Sequence, residues 1–170
     1  MSTFPIIGIG LSAGGLEPLE AILRSLPESP GVAFVILQHL DPTHPSQLPE
    51  ILNRHTELPL TMAHEDQVLQ PDHLYLIPAG HYATLGDKGT YLRTEALAGR
   101  PSFPIDQFFR SLGLACGGRG AAVILSGSGS DGSRGIQMVK GHNGLVLVQA
   151  PSTCQFPSMP QSALDTGLPP

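Results

Sequence analysis

Basic residues are scarce in this chain. Nine Lys and Arg against fourteen Asp and Glu leave a formal charge of −5 over 170 residues. The cations are spread thinly, without the patch or stripe that neutralises phosphates, which argues against nucleic-acid binding. Charged residues of both signs reach only 14%, below the usual quarter. No apolar run approaches the ~20 residues that a membrane-spanning helix requires. The first residues lack a basic segment followed by a long apolar one, so no secretory signal is visible. Cysteine is limited to Cys116 and Cys154, far apart in the chain; two buried or inert thiols are expected rather than a disulfide framework. Together these absences favour the cytoplasm. What is present is 41% hydrophobic, with 20 Gly and 17 Pro placed between apolar runs, where they read as turns. The chain is expected to form one domain over residues 1–170, burying about two-thirds of its extended surface.

Apolar runs and helical patterns alternate. Strands are expected at Ile6–Leu11, Ala33–Leu37, Leu58–Met62, His73–Ile77, Ala121–Leu125 and Leu145–Gln149. Helical spacing begins at Leu16 and continues through Leu19, Ile22, Leu23 and Leu26. It recurs over Ser46–His55, over Ile105–Cys116, around Ile136 and Val139, and over Pro160–Thr166. Tyr82–Leu85 and Tyr91–Arg93 flank Gly86-Asp-Lys-Gly89, a hairpin signal, and residues 95–102 read as a loop. Continuously apolar strands alternating with helices predict an α/β, doubly wound, mostly parallel sheet with helices on both faces. The hairpin is expected as an antiparallel excursion at one edge.

The segment Gly8-Ile-Gly10-Leu-Ser12-Ala-Gly14-Gly15 joins the first strand to the first helix. Glycines at minus two and plus two from Ser12 match the G-x-S-x-G turn, which pushes a serine hydroxyl outward. The helix's first N–H groups then point at anything bound beside it. Gly8, Gly10 and Ala13 also fit G-x-G-x-x-A, a dinucleotide turn, with Asp41 near the second strand's end for the ribose. A third reading is a plain turn in which Ser12 caps the helix.

Ligands of open parallel sheets bind beyond the carboxyl ends of the strands. Three strands here end in a useful residue: Ser12, then Gln38-His39-Leu-Asp41-Pro, then Ser126-Gly-Ser-Gly-Ser-Asp131-Gly. A hydroxyl needs a base, and an imidazole base needs a carboxylate to hold its tautomer. Ser12, His39 and Asp131 supply these three parts. The dinucleotide reading leaves Asp131 without a role, and Asp131 before Gly132 also suits a simple helix start. His39, Asp41 and His44 offer only three metal ligands within six residues of a proline-containing loop, so no metal and no cofactor are expected.

At this point the chain resembles the catalytic domain of CheB-type protein-glutamate methylesterases of bacterial chemotaxis. The resemblance rests on Gly10-Leu-Ser12-Ala-Gly-Gly15, Gln38-His39 and Leu125-Ser-Gly-Ser-Gly-Ser-Asp131-Gly. Ile77-Pro, Pro104-Ile-Asp106-Gln-Phe-Phe and Met159-Pro160-Gln-Ser-Ala extend it over nearly the whole chain. It implies a hydrolase removing methyl groups from glutamate methyl esters of chemoreceptor helices, releasing methanol, and deamidating receptor glutamines. Ser12 would be nucleophile, His39 general base and Asp131 the orienting carboxylate. Backbone N–H groups of Ala13, Ser128 and Gly129 would form the oxyanion hole. Family members often carry methionine where Ser128 stands. No receiver domain is expected in 1–170. The short N-terminus and His-x-Asp-Pro sequence are most similar to esterase domains fused ahead of a receptor methyltransferase. A binding or regulatory module without turnover, and a nucleotide-binding domain, are the alternative expectations.

Overall fold

The computed structural model describes residues 2–39, 47–86, 88–98 and 102–168. The apolar segments form β1 (Ile6–Leu11), β2 (Ala33–Gln38), β3 (Leu60–Met62), β5 (His73–Leu76), β8 (Gly120–Ile124) and β9 (Leu145–Val148). They make a six-stranded sheet in the order β3-β5-β2-β1-β8-β9, and every neighbouring pair is parallel. A second sheet holds β4 (Gln67–Val68), β6 (His81–Leu85) and β7 (Tyr91–Ala96), ordered β4-β7-β6 and antiparallel. The expected hairpin is therefore present as β6–β7, closed by Gly86 N–H donating to the Tyr91 carbonyl. It does not extend an edge of the main sheet. It belongs to a separate layer, because β4 pairs with β7 and β6 packs on the long helix α3 (Pro104–Cys116).

The remaining helices are α1 (Leu16–Ser25), α2 (Leu48–Leu52), α4 (Gly135–Gly141) and α5 (Ser158–Leu164). α2 is shorter than the sequence pattern suggested, and β7 runs three residues beyond Arg93 into the expected loop. Two cores flank the main sheet. One joins Leu19, Leu23, Leu48 and Leu52 of α1 and α2 to Ile9, Leu11, Phe34 and Ile36. The other joins Ile105, Phe108, Phe109 and Leu112 of α3 to Ile6, Val35 and Ile124, and takes in the small sheet. Helices on both faces explain the continuously apolar strands: β2 is buried from Ala33 through Leu37.

Gly8 and Gly10 let α3 lie directly on β1. A Cβ at Gly8 would come within 2.7 Å of Phe108 Cε1, and one at Gly10 within 2.6 Å of Ile105 Cγ2. Their missing side chains are thus filled by a helix, in place of the close phosphate approach that the dinucleotide pattern would need. Both cysteines are free, Cys116 buried and Cys154 half-buried. No helix among the described residues is long and apolar enough to cross a membrane.

Candidate active site

Parallel register brings three strand ends together. Leu11 pairs with Gln38 across β1–β2, and Gly10 pairs with Ile124 across β1–β8. Beyond these pairs, His39 N–H donates to the Leu11 carbonyl (3.0 Å) and Ser12 N–H donates to the Ser126 carbonyl (3.1 Å). Ser12 and His39 therefore leave the sheet side by side. β1 is also where the topology reverses, with β2 on one flank and β8 on the other, the usual place for a ligand crevice.

The turn at Ser12 is tight. Gly15 N–H closes it onto the Ser12 carbonyl at 3.1 Å, and Gly14 adopts φ +73°, where a side chain would also collide with Ser126 Oγ and Gln155. The cap position of α1 is Gly15, and no side chain caps that helix. The Ser12 hydroxyl consequently has no capping duty, and it makes no hydrogen bond among the described residues. A Cβ at Gly127 would lie 2.7 Å from Ser12 Cβ and closer still to Met159 Sδ, so the loop after β8 presses against the serine.

Ser126, to which the sequence pattern assigns no role, is the hub of this turn. It is fully buried. Its hydroxyl lies 2.9 Å from the Ala13 carbonyl and accepts from Phe156 N–H, while its own N–H donates to Gln149 Oε1 at 2.9 Å. A buried hydroxyl between a strand end and two loops holds the serine turn by its backbone. Its position at the end of a fully apolar run was the only signal available in the chain.

Asp131 does not start its own helix. Its two carboxylate oxygens accept from Ile105 N–H (3.0 Å) and Asp106 N–H (2.8 Å), the first free donors of α3 after Pro104. The loop after β8 thus caps a helix about 25 residues earlier in the chain. Asp131 is only 4% exposed. Burial pushes its carboxyl up to about 6, as does the Asp106 charge, while the two backbone donors and the nearby His39 pull the other way. His39 is exposed and near enough to attract the ionised carboxylate. It borders a cleft shared with Gln38, Ile77, Pro78, His81 and Ser102.

Of the expected oxyanion donors, Ala13 and Ser128 have no internal acceptor for their N–H groups among the described residues. Gly129 differs from expectation: its N–H already donates to Ser158 Oγ at 2.9 Å. Asp41 and His44 lie outside the described residues.

Fold and site together define a doubly wound α/β protein with its polar groups gathered at the carboxyl edge of the parallel sheet. The sequence profile of the family described as CheB methylesterase matches residues 7–169, and the chain belongs to that family. The protein-glutamate methylesterase/protein-glutamine glutaminase 2 of Pseudomonas aeruginosa is 33% identical, over 98% of this chain and 49% of that protein. The like-named protein of Burkholderia lata is 34% identical over 95% and 48%. The chain thus spans about half the length of these curated relatives. The crystal structure of the Thermotoga maritima CheB methylesterase catalytic domain superposes with a TM-score of 0.86 at 26% identity, covering 98% of this chain and 90% of that one.

Proposed function

We propose that this chain hydrolyses glutamate methyl esters on chemoreceptor helices, releasing methanol, and deamidates receptor glutamines by the same acyl-enzyme route. The observation that carries the reading is the convergence of Ser12, His39 and the loop bearing Asp131 at adjacent strand ends, with Asp131 clamped by α3. The names of the curated relatives support the pair of activities.

Ser12 Oγ attacks the γ-carbonyl as His39 takes its proton. Asp131, ionised and attracted to His39, orients the imidazole and stabilises the imidazolium. The backbone N–H groups of Ala13 and Ser128 receive the developing oxyanion, each worth roughly 3 kcal/mol in such sites. Because Ser128 donates through its backbone, the methionine frequent in the family is not required for this role. His39 gives that proton to the leaving methoxide oxygen, which departs as methanol, or to the amide nitrogen of a glutamine, which departs as ammonia. Water, deprotonated by His39, then attacks the acyl-serine and frees the glutamate. A substrate on the cytoplasmic helices of receptors supports a cytoplasmic setting for this chemistry. The greater length of the relatives is consistent with a fused or associated receiver domain or receptor methyltransferase acting with this chain.

Methanol release from a methylated receptor cytoplasmic fragment, compared between the parent and Ser12→Ala, tests the assignment. The variant is expected to fold normally and to lose at least a thousandfold in turnover. Equal turnover in both would overturn it, and inertness of a well-folded parent would favour a binding module.

A further inference from the structure

The Pro104-Ile-Asp106 segment is part of the family resemblance, yet the proposed reaction gives Asp106 nothing to do. Its contacts single it out. Its N–H donates to Asp131 Oδ1 at 2.8 Å, while its own Oδ1 accepts from Arg134 N–H (3.0 Å) and Gly135 N–H (2.8 Å). Neither α3 nor α4 is capped by a side chain at its own cap position. Instead each takes its cap from the other: Asp131, just ahead of α4, caps α3, and Asp106, in the first turn of α3, caps α4. The approach is close enough that a Cβ at Gly135 would lie 2.8 Å from the Asp106 carbonyl oxygen and 2.6 Å from Phe109 Cβ.

We infer that Asp106 is a positioning residue for the reaction, fixing the Asp131 carboxylate toward His39 by gripping both that carboxylate and the chain just after it. Its backbone holds the carboxylate directly. Its side chain holds residues 134 and 135, three and four positions on, so the intervening turn cannot rotate Asp131 away. Asp106 does not touch the reacting atoms; it acts through Asp131. This inference rests on the proposed roles of Ser12, His39 and Asp131.

Asp106 also sets the charge environment. The charged groups facing the Asp131 carboxyl are Asp106 on α3 and His39 after β2, and they act in opposite directions: Asp106 disfavours ionisation and His39 favours it. Removing the Asp106 charge while keeping its acceptor oxygen therefore leaves an Asp131 that ionises at lower pH.

The test is kcat and KM for methanol release across pH 4 to 9 for the parent, Ser12→Ala, Asp106→Ala and Asp106→Asn. Misplacement of a catalytic group by an ångström costs up to about a hundredfold. Asp106→Ala is accordingly expected to lose about ten- to a hundredfold in kcat with KM little changed. Asp106→Asn retains an oxygen for the α4 amides, so it is expected to recover most of that loss. Its acid limb is expected to move to lower pH than the parent's. If Asp106→Ala does not fold, the limb of Asp106→Asn alone decides. Ser12-dependent turnover in which a folded Asp106→Ala keeps the parent's kcat, or in which the acid limb of Asp106→Asn does not move, would overturn the inference, leaving Asp106 a structural cap at most. Turnover retained in Ser12→Ala would instead overturn the underlying reading, and the inference with it.

Discussion

Asp131 is asked to be charged in a place that resists charge. Burial raises its carboxyl to about 6, so the group takes up a proton more readily folded than unfolded. The stability it contributes is fully present below the ordinary carboxylate range and is lost as pH rises through about 6. The proposed reaction has the opposite need, since in it only the ionised form steadies the His39 imidazolium. The parent's kcat is expected to fall as pH drops through about 6, as the Asp131 carboxyl takes up its proton. The stability of the parent relative to non-titrating Asp131→Asn is expected to decline between pH 4 and pH 7, read by denaturant unfolding at each pH. A flat difference would mean the carboxyl is not held as described. Ser12, His39 and Asp131 were legible as candidates from residue type and position after apolar runs. The partners of Asp131 were not: a carboxylate ahead of a helix looks in sequence like that helix's own cap, and only tertiary structure hands it to α3.

Between elements, the decisive contact is α3 on β1. The two glycines of the strand were legible as small residues, but their purpose was hidden because the helix that fills them begins almost a hundred residues later. Gly10→Ala places a methyl 2.6 Å from Ile105 Cγ2, on the residue whose N–H holds Asp131. Overpacking of this kind typically costs about 1–3 kcal/mol. Gly10→Ala is therefore expected to lower unfolding stability by that order in urea and to reduce turnover in the surviving folded protein. Unchanged stability would mean that α3 is free to shift. The main-sheet strands were visible because burial on both faces leaves uninterrupted apolar runs. β4, two residues long, has no period to detect, and the separate small sheet therefore read as a mere hairpin.

At the scale of the whole molecule, β9 closes one side of the main sheet, with Leu145 and Leu147 54% and 50% exposed. An apolar edge strand invites pairing with another chain, and lysine there opposes it. Leu147→Lys is expected to reduce light scattering in concentrated solution without altering turnover; unchanged scattering would mean that this edge does not drive association. The backbone bond from Ser12 to Ser126 spans more than a hundred residues of chain. Such non-local closure is slow, since the intervening loop must lose its freedom before the contact rewards it. A newly made or refolding chain can hold most of its helices and the β1–β2 pair while its serine turn is still unanchored. The proposed chemistry thus depends on a contact between distant parts of the chain, and a molecule in which it has not formed holds Ser12 without the turn that presents it.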